Sequence, residues 1–236
     1  MRKDPGGAGE AGATWALLVA AGAGERLEID RPKAFASLGG RPLLAESLER
    51  LDRSSWIDAI VVAAPVGWEE PAILLAEELT VTKVVSCIAG GATRADSVRA
   101  ALEHVPEDAL VVLVHDAARP LIDDAVIERV LAPLSLGFDG AVPALPIPDT
   151  VKRVDGGVVV ETVTRDDLVS AQTPQAFLAS SFRRALAAAD VADATDCAWL
   201  VERAGGRVAI AEGDPRLLKV TTAADLALVE MLLTSS

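Results

Sequence analysis

LLVAAGAGERLEIDRPKAF, residues 17 to 35, decides how the rest of the chain is read. An apolar run stops at Ala20-Ala21-Gly22-Ala23, four residues with almost no side chain. Gly24 and Arg26 follow, then Lys33 just after Pro32. A run that is apolar at every position reads as a strand buried on both faces. A loop nearly free of side chains lets backbone N–H groups approach a ligand closely, and two cations beyond it suit an anion.

The same pattern recurs downstream. IDAIVVAAP (57–65), TKVVSCIAG (82–90), ALVVLVHDAA (109–118) and DGAVPALPI (139–147) are further apolar runs. Helical spacing predicts helices near 41–53, 69–79, 94–104 and 123–134. Apolar strands alternating with helices mean an α/β fold, a mostly parallel twisted sheet with helices on both faces. Ligands of such sheets sit beyond the carboxyl ends of the strands. There the chain reads AAGAGER after the first strand, GGATRADS after the third and HDAARP after the fourth. These three loops carry Arg26, Lys33, Arg94, Asp116 and Arg119.

Composition narrows the ligand. The chain has 236 residues, 51% hydrophobic but only 3% aromatic and without Tyr, so its core is Ala, Val and Leu. A net charge of -13 argues against a nucleic-acid or membrane-surface binder, since that surface would repel phosphate backbones. A small anion remains possible where the few cations converge. Cys87 and Cys197 stand far apart without CxxC spacing, as expected of a reducing cytoplasm. Met1-Arg2-Lys3 is separated from the first apolar run by Asp4, Pro5, glycines and Glu10, the wrong layout for a signal peptide. Residues 1–13 read as a flexible head, residues 14–236 as one domain.

GAGERL begins like the dinucleotide fingerprint GxGxxG. Leu27 replaces the third glycine, and Ala63-Ala64-Pro65 ends the second strand where a ribose-binding acid would stand. No Gly-Lys-Ser/Thr follows, so the loop is not a Walker loop either.

Together AAGAGERL…RPKAF, GGATRADSV, VHDAARP, PIPDTVKR, TVTRDDLVSAQTPQAF, ATDCA and LKVTTAADLAL resemble the 2-C-methyl-D-erythritol 4-phosphate cytidylyltransferases, over about residues 15–232. The resemblance implies a nucleotidyltransferase of Rossmann-like fold that joins CTP to a sugar-alcohol phosphate, with Mg²⁺, and releases pyrophosphate. It implies that Ala20, Ala21, Gly22 and Gly24 wrap the triphosphate. Arg26 and Lys33 would then neutralise the transferring phosphate, and Gly91, Ser97 and Ala117 would hold the nucleoside. Asp116 would serve the metal and the acceptor, Arg119, Thr150, Arg165, Thr173 and Thr195 the acceptor site, and Lys219 both that site and, with Arg26 and Lys33, the transfer itself. Such a reaction needs no protein nucleophile. It needs two polyanions aligned and their charge neutralised, which Lys, Arg and Mg²⁺ provide. His115 reads as packing or orienting its loop, and His104 as exposed.

The ribitol 5-phosphate cytidylyltransferases share many of these motifs, so the acceptor stays open at this point, as does a non-catalytic nucleotide-binding module. VKRVDGGVVVETV (151–163) alternates around Asp155-Gly156-Gly157 and predicts a hairpin inside an arm of about 145–168. A two-stranded arm needs something to pack on. The resemblance supplies a second subunit, giving a homodimer that exchanges arms.

Overall fold

The computed structural model describes residues 13–22, 24, 27, 30–188 and 194–234. The expected head, apart from Ala13, and Arg26 lie outside the described residues.

Every element read from the sequence is present. Strand β1 (Thr14–Val19) is followed by α1 (Leu43–Arg53), β2 (Ala59–Ala64), α2 (Glu69–Glu78) and β3 (Val84–Ala89). Then come α3 (Arg94–Leu102), β4 (Val111–Asp116), α4 (Asp124–Leu131) and β5 (Gly140–Pro146). β1 lies between β2 and β4, parallel to both, and β2 pairs in parallel with β3. Successive β1 side chains go to opposite faces, as a pleated strand requires. Ala16 and Leu18 meet Leu44 and Leu48 of α1, Leu75 of α2 and Val126 of α4. Trp15 and Leu17 meet Val98 of α3 and Phe182 and Leu200 beyond. Both faces are thus covered, and the uninterrupted apolar run follows from that. β3 differs, because it ends the sheet and Val85 is 55% exposed.

The hairpin strands β6 (Val151–Asp155) and β7 (Val158–Val163) form a two-stranded sheet of their own. Gly156 and Gly157 occupy its turn with φ of 53° and 82°, the region that favours glycine. Beyond it β8 (Val169–Ala171) and β9 (Gln175–Leu178) return antiparallel to β5, and β9 also pairs antiparallel with β4. β9 therefore separates β4 from β5, an insertion the βα alternation does not announce. The arm carries the chain past the carboxyl end of β5, so the returning segment must run in the opposite sense. Helices α5 (Ala179–Ala188) and α6 (Cys197–Arg203) follow, then β10 (Val208–Glu212), parallel to β5, and α7 (Ala223–Thr234). Among the described residues no helix is long and apolar enough to cross a membrane.

Candidate active site

The carboxyl ends of β1, β2, β3 and β4 are fastened to one another. The Ala20 N–H donates to Ala63 O at 2.9 Å, Gly90 N–H to Ala64 O at 2.7 Å and Ala117 N–H to Val19 O at 3.0 Å. The three loops read from the sequence therefore start from one rim. A cavity of about 290 Å³ opens above it.

Small residues at this rim are a packing requirement. A Cβ on Gly90 would fall 2.3 Å from Ala21 Cβ, and one on Gly91 would fall 2.3 Å from Asp96 Cβ. Gly24, with φ of 74°, passes so close to Lys33 that a Cβ there would clash with the lysine stem. Ser97 is buried; its Oγ accepts from Gly91 N–H at 3.1 Å and donates to Thr93 O at 3.0 Å. Thr93 caps α3, its hydroxyl accepting from Asp96 N–H while the Asp96 carboxylate accepts from Thr93 N–H. The Gly91 and Asp96 N–H groups are thus engaged within the loop, which fixes its shape.

At the cavity floor Asp116, only 6% exposed, faces two cations. Arg94 Nε donates to Asp116 Oδ1 at 2.9 Å, and Lys219 Nζ to Oδ2 at 2.7 Å. Burial alone would push this carboxyl up; Arg94 and Lys219 outweigh it and hold it well below the usual carboxylate range. Arg94 Nη1 also donates to Cys197 Sγ at 3.2 Å. Burial pushes the Cys197 thiol up, so it stays neutral.

The backbone of Asp116 has its own support. Its N–H donates to Thr173 Oγ1 at 3.0 Å, and that hydroxyl lies 3.1 Å from His115 Nδ1. His115 Nε2 lies 3.0 Å from Arg119 O. The carbonyl can only accept, so Nε2 carries the proton and Nδ1 accepts from Thr173. Burial pushes His115 down to about 4, consistent with the neutral ring that this chain of bonds needs. His115 is thus the loop-orienting residue expected, while His104 is exposed and bonded through Nδ1 to Ser86 Oγ at 3.2 Å.

Of the residues singled out in the sequence, Ala20, Ala21, Gly22, Lys33, Gly91, Arg94, Ser97, Asp116, Ala117 and Lys219 line this cavity. Gly24 and Thr173 support lining residues. Arg119 does not line it; its Nη1 donates to Leu217 O at 2.6 Å and so secures the segment that carries Lys219. Thr150, Arg165 and Thr195 are exposed and also outside the lining. Arg165 Nη1 is bonded to Pro148 O, at the base of the arm. Sequence reading placed Arg94 at the rim without giving it a partner. It also missed Gln175, whose Oε1 accepts from Cys197 N–H and whose Nε2 donates to Asp196. That pairing needs β9 in place beside α6, and no local pattern announces it.

Among the described residues no group of three or more His, Cys, Asp or Glu side chains could hold a metal. Asp116 is the acidic side chain among the described lining residues. Each carboxylate oxygen keeps a second acceptor direction. One carboxylate with phosphate oxygens is the donor set Mg²⁺ uses at nucleotide sites, so the residues present fit that ion.

The family profile of 2-C-methyl-D-erythritol 4-phosphate cytidylyltransferase (IspD) matches residues 14–235. The chain belongs to this family. It is 47% identical over 223 residues to the 2-C-methyl-D-erythritol 4-phosphate cytidylyltransferase of Nocardia farcinica, with 94% of each chain covered. Over 219 residues it is 47% identical to that of Rhodococcus jostii, covering 92% of this chain and 93% of the relative. The crystal structure of the Thermus thermophilus cytidylyltransferase superposes with a TM-score of 0.75 at 34% identity, covering 92% of this chain and 98% of that one. The fold is therefore the α/β nucleotidyltransferase fold expected, and the chain is an enzyme of the cytidylyltransferase family.

Proposed function

We propose that this family member transfers CMP from CTP to 2-C-methyl-D-erythritol 4-phosphate, a step of isoprenoid precursor synthesis. The observation that carries the reading is the cavity at the strand ends, where tightly packed backbone, Lys33, Lys219 and Asp116 surround space for a polyanion. An acceptor phosphate oxygen attacks the α-phosphorus of CTP; the new P–O bond forms as the bond to the departing pyrophosphate breaks. Lys33, with Arg26, neutralises the triphosphate. Lys219 turns to the acceptor phosphate, and Gly91, Ser97 and Ala117 shape the nucleoside subsite. Asp116 would hold Mg²⁺, which supplies charge neutralisation on the phosphates when bound.

The enzyme is further proposed to work as a cytoplasmic homodimer. On the arm, Val154, Val158, Val159 and Val160 are 60%, 66%, 55% and 57% exposed. Contiguous exposed valines on a two-stranded ribbon call for a partner surface. A second copy supplies one, and it brings Thr150 and Arg165, at the arm base, to the acceptor side of the neighbouring cavity.

The test is pyrophosphate release from CTP, with 2-C-methyl-D-erythritol 4-phosphate and ribitol 5-phosphate side by side. Turnover with the first, abolished by EDTA and restored by Mg²⁺, is expected. Preference for ribitol 5-phosphate, or comparable use of ATP in place of CTP, would overturn the assignment.

A further inference from the structure

The two cations on Asp116 are held in different ways. Arg94 is the first residue of α3, so the capped helix start fixes its backbone. Its guanidinium is pinned twice, by Asp116 Oδ1 and by Cys197 Sγ, and its side chain is 25% exposed. Its Nη2 is buried without a hydrogen-bond partner among the described residues. A buried donor left unpaired is tolerated where something else requires the placement. Lys219 has a tethered backbone, with Arg119 on Leu217 O and Val220 N–H on Ala118 O. Its ammonium makes a hydrogen bond to Asp116, and its side chain is 40% exposed in the cavity wall. Both cations line the cavity, but one is held by two partners and the other by a single hydrogen bond on a flexible stem.

We propose that Arg94 is a positioning residue for the transfer: it keeps the Asp116 carboxylate paired and in place, so that an arriving acceptor phosphate draws away Lys219 alone. The inference rests on the transfer reading above. Cys197 completes the device. A neutral thiol accepts a hydrogen bond without competing for the guanidinium charge, which stays directed at Asp116. Without Arg94, and until a metal binds, Lys219 would be the one counter-ion of this buried carboxylate among the described residues and would leave it only by stranding a charge.

The experiment uses Arg94→Gln, Arg94→Lys and Cys197→Ala in the full chain, with two readouts. The first is steady-state kinetics. Arg94→Gln is expected to raise KM for 2-C-methyl-D-erythritol 4-phosphate by about tenfold, the scale of a charged hydrogen bond, with KM for CTP within about twofold. Arg94→Lys, which restores the charge, should recover part of the loss. The second readout needs no substrate: the rate of Lys219 acetylation, measured by mass spectrometry against Lys152 on the arm. It should fall several-fold in Arg94→Gln, where Lys219 is bound more firmly to Asp116. Unchanged or faster acetylation, or equal rises in both KM values, would overturn the proposal. If Arg94→Gln does not fold, Cys197→Ala decides. It leaves the cavity lining intact, loosens the guanidinium, and should raise the acceptor KM and slow Lys219 acetylation; wild-type values for both overturn the proposal. If wild-type enzyme makes no pyrophosphate, the transfer reading fails, while the acetylation rates still report on the pairing.

Discussion

At the carboxyl end of β4, Asp116 bonds to Arg94 and Lys219 through its carboxylate and to Thr173 through its backbone. On the arm, three successive valines, Val158, Val159 and Val160, stand more than half exposed, and the ribbon pairs with no other strand among the described residues. Both regions are strand and turn. The first is completed within its own chain, because neighbouring strands and α3 bring partners to both Asp116 carboxylate oxygens and to its backbone N–H. The second is stable only if something outside it covers apolar surface. A floor fixed by hydrogen bonds within the chain suits a reaction whose main requirement is preorganised charge. An arm that is incomplete alone suits a site shared between subunits.

The largest effect should come from the two cations assigned to the triphosphate. Lys33→Ala or Arg26→Ala is expected to lower turnover by roughly a hundredfold or more, the scale of a lost electrostatic donor. Melting temperature should barely move for Lys33→Ala, since a half-buried cation at a cavity wall stabilises little. Near-normal turnover in Lys33→Ala would remove the floor from the comparison. The next test falls on the arm. Arg26→Ala and Arg165→Ala enzymes are mixed after reversible dissociation. If sites are shared, one site in each mixed dimer is wholly wild type. With about half the dimers mixed, activity should return to roughly a quarter of normal. No recovery, with mixed dimers confirmed by mass, would mean that each site is built from one chain.

The buried chain of bonds under Asp116 adds a pH dependence. His115 stays neutral in the fold down to about 4 but takes a proton near 6.5 when unfolded. The unfolded state binds more protons between these values. The contribution is therefore fully present above 6.5, is lost as pH falls toward 4, and changes no further below. Between pH 7.5 and 5 this amounts to about 2 kcal/mol in urea unfolding, absent in His115→Gln. Equal pH slopes in the two proteins would contradict it. Asp116 acts in a separate, more acidic window, because its carboxyl is held low and its contribution is lost only as pH falls below the ordinary carboxylate range.

Gly90→Ala should destabilise the fold by about 1–3 kcal/mol through overpacking against Ala21 and Ser97 and weaken CTP binding with it. The smallest effect on the fold is expected at the arm. Val159→Lys should alter the stability of the single chain by no more than about 0.5 kcal/mol, while sedimentation shows the dimer lost. Retention of a dimer would move the interface elsewhere.

The sequence by itself determined the layered α/β architecture, because apolar runs at every position can be satisfied only by a sheet covered on both faces. It also determined the rim, since small residues and cations ending successive strands must converge once the sheet is parallel. The hairpin was legible from Asp155-Gly156-Gly157, a local turn signal. Tertiary structure decided what depends on contacts distant along the chain. It placed β9 between β4 and β5, and so brought Thr173 to the Asp116 backbone and Gln175 to the start of α6. It turned Arg94 onto Asp116 and Cys197, residues 22 and 103 positions away. It left Thr150, Arg165 and Thr195 outside the cavity of their own chain. Short-range periodicity reports which face of an element is buried; it carries no information on which side chain of another element meets it there.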